Sequence, residues 1–266
     1  MTFGFIGTGN MGGALARAAR RRLEGEQILL ANRTERKAAA LAEELGAALS
    51  NSRTIAENAD YLFLGVKPQM MGELLKKLSP VLAERESRFV LVSMAAGLTI
   101  ADIQSMAGWD CPVIRIMPNT PCSIGEGMIL YTPGPGVTEA ETAVFLEAMA
   151  GAGRFSLLPE GLMDAGSAVA GCGPAFADLF LEALADGGVA CGLPRAQAME
   201  FAAQMTLGAA KLALESGRHP GVLKDAVCSP GGTTIQGVRT LEQAGFRGAV
   251  MEAVISAYEK TLSLKP

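Results

Sequence analysis

Histidine, clustered cysteine and basic runs are scarce in this chain. His219 is the single histidine among 266 residues, and none of the five cysteines has a Cys-x-x-Cys spacing. The cysteines are Cys111, Cys122, Cys172, Cys191 and Cys228. Zinc sites and disulfide frameworks need such spacings, so we expect no metal ion and reduced thiols.

Positive charge is also too sparse for a nucleic-acid partner. The net charge is −4, and Arg20 to Arg22 form a run of only three basic residues, whereas nucleic acids and anionic membrane surfaces bind larger basic patches. We therefore expect a small-molecule substrate, no nucleic acid and no membrane.

Signals for export or membrane insertion are missing as well. The N-terminus, MTFGFIGTG, enters an apolar stretch without a basic region or a cleavage site, and the longest apolar segments are interrupted by Asp178, Glu182 and Asp186. These features predict a cytoplasmic protein. The three acids recur four residues apart, which is typical of the solvated face of a helix.

Apolar residues, by contrast, are abundant. Hydrophobic residues make up 49% of the chain and charged residues 19%. A soluble monomer of this composition would expose apolar patches to water. We therefore expect a homo-oligomer.

The first half of the chain alternates short apolar runs with amphipathic stretches. Six runs are candidate strands: 2–7, 27–32, 60–66, 88–94, 113–118 and 154–159. Patterns such as MGGALARAARRRL and TERKAAALAEELG between them predict helices. Repeated strand–helix–strand units are typical of an α/β fold with a doubly wound, mostly parallel sheet.

The second half has long Ala/Leu-rich runs that begin at proline and end at glycine, without strand patterns between them. The change in composition lies near residues 155–162. We therefore predict a nucleotide-binding domain over residues 1–159 and an all-α domain over residues 160–266.

A glycine-rich turn follows the first strand. In a Rossmann dinucleotide site, three glycines have separate roles. Here Gly7 would allow the tight turn, Gly9 would let the backbone approach a pyrophosphate, and Gly12 would let the helix pack closely on the strand. The motif alone also fits a plain turn. Its place at the first strand–helix junction favours a cofactor site.

The end of the second strand bears on the choice of cofactor. An acid there would bind the ribose hydroxyls of NAD, but the sequence has Asn32, Arg33 and Thr34. These donors suit a 2′-phosphate and favour NADP, although Arg33 also fits a solvated helix-start charge.

Three further loops follow strands, at the edge where ligands bind in open α/β sheets. They are Val66 to Pro68, Ser93 to Gly97 and Met117 to Pro121. Small residues and prolines leave room for a flat ring, and Lys67 or Asn119 can hydrogen-bond a cofactor. Each loop alone also fits ordinary strand termination.

The segment CSPGGTTIQGV interrupts the helical half. Ser229 to Gly232 form a turn, and Thr233 and Thr234 stand at the start of the next helix. Clustered N–H groups and hydroxyls there suit a small carboxylate, although this segment taken alone fits an ordinary threonine cap after a Pro-Gly turn better. His219 precedes Pro220 and fits a helix start, and Glu160 lies at the predicted domain junction.

The combination of GFIGTGNMG, VKP, SMAAGLTI, RIMPNTP, GCGPAF, DGGVACGLPR and LKDAVCSPGGTTI resembles pyrroline-5-carboxylate reductase over nearly the whole chain. The resemblance implies reduction of L-1-pyrroline-5-carboxylate to L-proline by NADPH, less often NADH. It also implies an N-terminal Rossmann domain and a C-terminal helical dimerisation domain, with dimers often assembling into larger rings.

Carried over by position, the resemblance implies the residues of the site. Those expected to contact the cofactor are Ile6, Gly7, Thr8, Gly9, Asn10, Met11, Asn32, Arg33, Thr34, Gly65, Val66, Lys67, Pro68, Met94, Ala95, Ala96 and Asn119. Those expected to contact the substrate are Glu160, Ser229, Gly231, Gly232, Thr233 and Thr234. Thr234 would hydrogen-bond the ring nitrogen and is the candidate catalytic residue.

This sequence departs from the family pattern at three positions. Cys172 and Phe176 stand where Ser and Tyr are usual, and Ala226 stands where Asn is common. The first two departures lose hydroxyl groups, so we expect one or two polar contacts of the family to differ here and the reaction class to be the same.

Two other functions stay open. An NADP-dependent hydroxyacid dehydrogenase of similar two-domain build needs a lysine acid on a central helix, for which Lys211 is the candidate. A regulatory protein that binds NADP without turnover is the second, and it would need no carboxylate-binding loop.

Overall fold

The computed structural model describes residues 1–263, so residues 264–266, the end of the predicted second domain, lie outside the described part. Within it the strands form one eight-stranded sheet. They are β1 (Phe3–Ile6), β2 (Ile28–Ala31), β3 (Ala48–Leu49), β4 (Tyr61–Leu64), β5 (Val90–Ser93), β6 (Val113–Met117), β7 (Gly127–Pro133) and β8 (Gly153–Leu157). The order is β3-β2-β1-β4-β5-β6-β7-β8, and all neighbours are parallel except β6 and β7.

This sheet confirms the predicted doubly wound α/β fold and all six predicted strands. Two strands were missed. β3 has only two residues, too few for a pattern, and β7 reads GMILYTP, with glycine and proline at its ends and little alternation. Its antiparallel pairing depends on the long-range contact with β6.

Helices cover both faces of the sheet because its central strands are apolar on both sides. One face packs Phe5 with Leu15 and Phe145, and the other packs Leu62 with Met71. The helices are α1 (Asn10–Arg20), α2 (Glu35–Leu45), α3 (Ser52–Asn58), α4 (Pro68–Ala83), α5 (Ile100–Ala107) and α6 (Glu139–Met149). Each large side chain buried in these clusters contributes about 1.5–3 kcal/mol to the free energy of unfolding. The well-packed sheet therefore holds the loops at the ends of its strands in fixed positions.

Six further α-helices follow β8 within residues 1–263. They are α7 (Met163–Ala170), α8 (Gly173–Ala190), α9 (Arg195–Ser216), α10 (Pro220–Ala226), α11 (Thr233–Gln243) and α12 (Phe246–Ser263). The chain divides into two compact units, one of residues 1–172 with the chain from Ala257 onward, and one of Gly173–Ser256. The predicted domain division between residues 159 and 160 stays a prediction.

The second unit buries little apolar surface within itself. Helices α8 and α9 pack together, but among the described residues of this unit the buried hydrophobic ones are only Ala185, Ala198 and Ala202. Large apolar side chains on the same helices are exposed, among them Leu179, Phe201, Met205 and Leu214. An exposed apolar surface of this kind marks a protein interface.

The segment Glu160–Ala190 has the length and composition of a membrane span, with a mean hydropathy of 1.4 in its most apolar window. The structure divides it into α7 and α8, two separate helices. Asp178, Glu182 and Asp186 lie within α8. Carboxylates are costly in lipid, so this apolar surface suits packing against protein better than a membrane.

A charged cluster ties β5 to α6 at the amino end of the sheet. Glu141 accepts hydrogen bonds from Arg88 Nε at 2.6 Å and from the backbone N–H of Thr138 at 2.7 Å. The Arg88 guanidinium, supported by Thr138, lowers the pKa of Glu141 to about 2. The folded state therefore prefers the ionised carboxylate.

We expect Glu141→Gln to remove a pH-dependent part of the free energy of unfolding. The ionised Glu141 stabilises the fold above its unfolded pKa of about 4.3, and this contribution disappears as the pH falls through about 2. Because Arg88 is half exposed and solvent screens the pair, we expect a difference on the order of 1 kcal/mol between wild type and variant at neutral pH.

Urea unfolding at a fixed protein concentration, from pH 7 to pH 2, measures this difference. Glu73→Gln is the control, since the Glu73–Lys77 pair is exposed on both sides and should contribute much less. If the free energies of unfolding of wild type and Glu141→Gln differed by the same amount from pH 7 to pH 2, the assignment would be contradicted.

Candidate active site

The glycine-rich turn after β1 is formed by backbone contacts that leave no room for side chains. Gly7 has a φ of 99°, and a Cβ on it would lie 2.4 Å from the Gly65 carbonyl oxygen at the end of β4. A Cβ on Gly12 would lie 2.0 Å from the Gly7 carbonyl oxygen. A Cβ on Gly9 would instead meet nothing within 4 Å. The turn is therefore tightly packed at Gly7 and Gly12, and it is open at Gly9, next to the N-terminus of α1.

Thr8 and Asn32 connect this turn to the end of β2. The Thr8 N–H donates to Asn32 Oδ1 at 3.2 Å, and Asn32 Nδ2 donates to the Thr34 carbonyl at 3.1 Å. The Thr8 hydroxyl is buried and has no hydrogen-bond partner among residues 1–263. A buried hydroxyl without a partner, next to the N-terminus of α1, fits a site for a polar ligand. Arg33 lies exposed at the same end of β2.

The other predicted cofactor residues lie at neighbouring strand ends. Lys67 caps α4 and Pro68 is the first residue of that helix, directly after β4. After β5, Ala95 is buried, Met94 is half-buried and Ala96 is exposed. Because β2, β1, β4, β5 and β6 are adjacent and parallel, their carboxyl ends share one edge of the sheet. The fold thus brings these predicted residues to one edge.

Asn119 follows β6 at the same edge, but its amide is engaged in structural hydrogen bonds. Asn119 Nδ2 donates to the Ala170 carbonyl at 3.0 Å, and its Oδ1 accepts the Met128 N–H at 3.1 Å. The side chain is buried. A contact of Asn119 with the cofactor stays a prediction.

Glu160 also has structural partners. Its Oε1 accepts the Ile100 N–H at 2.7 Å and lies 3.5 Å from Arg115 Nη1. Arg115 Nη2 donates to Asp164 Oδ1 at 2.8 Å, and both of these side chains are buried. Its contact with the substrate stays a prediction too.

Arg115 and Asp164 were missed by the sequence analysis. The signal available was an arginine in the middle of the apolar strand VIRIM, followed by two acids four residues apart, Glu160 and Asp164. A charge inside a buried strand requires a partner.

The Ser229 to Thr234 loop lies in the second unit, between α10 and α11. Gly231 has a φ of 68°, and the Gly232 N–H donates to the Ser229 carbonyl at 3.0 Å. Gly232 is the N-cap of α11, so Thr233 and Thr234 are its first two residues, as predicted. Ser229 and both threonines are exposed. The loop thus presents hydroxyls and unpaired helix-start amides, which suit an anion.

The remaining candidate groups have ordinary roles. His219 caps α10, its Nδ1 accepting the Gly221 N–H at 3.1 Å. Lys211 lies exposed on α9, 3.6 Å from Glu215. Burial raises the pKa of the Cys111 thiol to about 11, which keeps it protonated. Over residues 1–263 no cluster of three or more His, Cys, Asp or Glu residues could hold a metal ion.

Two family models match separate parts of the chain. Residues 2–97 match the family described as NADP oxidoreductase coenzyme F420-dependent, and residues 160–264 match pyrroline-5-carboxylate reductase dimerisation. The second match supports association of the chain through its C-terminal helices.

Individual relatives align over nearly the full length. The chain is 42% identical over 265 residues to the pyrroline-5-carboxylate reductase of Escherichia coli strain K12, covering 98% of this chain and 97% of that protein. It is 40% identical over 266 residues to the pyrroline-5-carboxylate reductase of Pisum sativum, covering 99% and 96%.

A solved structure has the same fold. Plasmodium falciparum pyrroline carboxylate reductase with NADP bound aligns with a TM-score of 0.90 at 30% identity, covering 100% of this chain and 98% of that one. The resemblance and the fold predicted from the sequence are confirmed: the chain belongs to the pyrroline-5-carboxylate reductase family.

Proposed function

We propose that this protein reduces L-1-pyrroline-5-carboxylate to L-proline by hydride transfer from NADPH, with NADH as a weaker donor, in the last step of proline biosynthesis. One observation carries the proposal: 42% identity to a named reductase extends over 98% of the chain and so includes both anion-binding loops, the glycine-rich turn and the Ser229 to Thr234 loop.

The residues of the first unit fit a dinucleotide. The exposed N–H groups at the start of α1, the open space above Gly9 and the orphaned Thr8 hydroxyl suit a pyrophosphate. Gly65 to Pro68 and Met94 to Ala96 would bind the rest of the cofactor, which supplies the hydride when bound. A relative solved with NADP bound supports this assignment.

The end of β2 would select NADPH over NADH. Asn32 is already hydrogen-bonded to Thr8 and Thr34, so it holds the turn in place. Arg33 is exposed there and can pair with a 2′-phosphate, and Thr34 can donate its hydroxyl. In NADH this phosphate is replaced by a hydroxyl, and Arg33 would lose its ionic partner.

The Ser229 to Thr234 loop would bind the substrate carboxylate. Its backbone N–H groups at the start of α11 and the Ser229 and Thr233 hydroxyls are the donors for the anion. Thr234 would donate its hydroxyl to the ring nitrogen and polarise the C=N bond. The carbon of that bond would then accept the hydride, and the nitrogen would take its proton from solvent, either before hydride addition as the iminium or through the Thr234 hydroxyl.

Little acid–base machinery is needed for this reaction, because the imine nitrogen is protonated or hydrogen-bonded before hydride addition. The single histidine is used as a helix cap. Positioning and a polarising donor therefore supply most of the rate enhancement.

The assembly that we propose is a homodimer formed through the C-terminal helices, able to build larger oligomers. The exposed apolar side chains of α8 and α9 and the dimerisation-family match support it. We also propose a cytoplasmic location, supported by five free cysteines.

Purified protein should oxidise NADPH when pyrroline-5-carboxylate is added. The reaction is measured as the loss of absorbance of the reduced nicotinamide. The product should be proline by chromatography. A 3-hydroxy acid with NADP should give no comparable rate. Tight NADPH binding without turnover of any cyclic imine would contradict the proposal.

Thr234→Val should lower kcat by about 100-fold, as expected for the loss of one donor aimed at developing charge. The Kd of NADPH, measured by fluorescence titration, should stay nearly unchanged. Thr240→Val is the matched control on the same helix, since the Thr240 hydroxyl donates to the Gln236 carbonyl. Equal activity of the two variants would remove Thr234 from the chemistry.

Arg33→Ala should weaken NADPH binding by roughly 1.5–3 kcal/mol, or about 10-fold to 100-fold, through loss of a charge-assisted hydrogen bond. NADH binding should change little. Calorimetric titration of both cofactors measures the difference, with Arg53→Ala on α3 as the control. Equal weakening of NADPH and NADH would show that Arg33 does not recognise the 2′-phosphate.

A further inference from the structure

Two polar side chains of the β6 region hold opposite ends of helix α7. Arg115, in the middle of β6, binds Asp164 in the first turn of α7. Asn119, just after β6, binds the carbonyl of Ala170, the last residue of α7. The two anchors are four residues apart on the strand side and six apart on the helix side, so α7 is fixed against the sheet at both ends.

Between the two anchors, α7 packs closely against the sheet. A Cβ on Gly166, in the middle of the helix, would lie 2.5 Å from Leu130 Cδ1 of β7 and 2.8 Å from Leu158 Cδ2. The glycine therefore sets a close approach of helix to sheet. Within this contact the polar anchors determine the position of the helix along its own axis.

The Arg115 guanidinium also has a second ionic partner, Glu160. Its Nη1 lies 3.5 Å from Glu160 Oε1, and the same oxygen accepts the Ile100 N–H at 2.7 Å. Ile100 begins α5 and directly follows the segment 94–99. Arg115 thus connects, through Glu160, to the segment that contains three of the proposed cofactor residues.

Burial of these charged groups has a desolvation cost, which lowers the free energy of unfolding. The side chains of Arg115 and Asp164 are 2% and 8% exposed. Replacing a buried ion pair with apolar residues is often neutral or stabilising, so stability alone does not explain a charge in the middle of VIRIM. A planar guanidinium fixes two acids at once with defined geometry, which an apolar cluster cannot do.

We propose that Arg115 is a positioning residue for the reduction: with Asn119 it fixes α7 against β6 and β7, and through Glu160 it holds the segment 94–99 in place. The inference rests on the proposed function for the identity of the reaction. Displacement of that segment would misplace the proposed cofactor contacts, and an error of about 1 Å in a reacting geometry costs on the order of 100-fold in rate.

Arg115→Lys tests the proposal because lysine keeps the charge but cannot hold both acids with one planar group. We expect kcat for the cyclic imine to fall about 10-fold to 100-fold and the Kd of NADPH to rise, because the segment 94–99 contains three of the proposed cofactor contacts. Amide hydrogen exchange over peptides spanning 94–103 should become faster without any ligand. The matched control is Arg88→Lys, which alters another Arg–Glu pair at the amino end of the sheet.

Arg115→Lys behaving like Arg88→Lys in both kcat and exchange would overturn the proposal. If the wild type reduced no cyclic imine, the proposed function would fail, and the exchange comparison alone would decide whether Arg115 holds the segment. The two failures are thus distinguishable.

Glu160→Ala is the second variant, and it decides the matter if Arg115→Lys does not fold. It leaves the Arg115–Asp164 pair and removes the acceptor of the Ile100 N–H. Faster exchange over 94–103 with a lower kcat supports the positioning role. A higher KM for the imine with unchanged kcat and unchanged exchange would make Glu160 a substrate contact and overturn that role.

Discussion

At the carboxyl end of β1 the backbone of Gly7 lies against Gly65 at the end of β4, and a side-chain carbon on either glycine would lie 2.4 Å from the other's carbonyl oxygen. Gly12 closes the same contact from the first turn of α1. Because these positions have no side chains, helix α1 can begin immediately after β1, with its N-terminus next to the turn. The rest of the first unit depends on it, because the neighbouring strand ends converge on the space that the turn leaves open.

The two units use their apolar residues differently. In the first unit the sheet lies between two buried clusters, one on each face. In the second unit the apolar side chains of α8 and α9 remain largely exposed within one chain. The excess of hydrophobic over charged residues in the sequence is therefore concentrated on a surface suited to association, in agreement with the dimerisation-family match.

Polar groups inside the first unit connect elements far apart in sequence. Asn32 joins the ends of β1 and β2, Asn119 joins β6, β7 and α7, and Arg115 joins β6 to the residues that follow β8. The fold supplies partners for both amides and for Nη1 and Nη2 of Arg115, whereas the buried Arg115 Nε has no hydrogen-bond partner among residues 1–263. Asn119 and Glu160, for which the sequence predicts ligand contacts, are thus held by structural hydrogen bonds within the first unit.

Local sequence patterns were enough to identify the family, the doubly wound sheet, six of its eight strands and the two turns for which anion binding is proposed. These features are local: glycine spacing, apolar runs and helix-start residues act over a few positions, as at Gly7 to Gly12 and Ser229 to Thr234. Only the tertiary structure decided the pairing of β7 with β6, the partners of Glu160 and the role of Arg115. Those depend on contacts between residues about 15 to 60 positions apart, and a local pattern does not specify which distant residue will meet a buried charge.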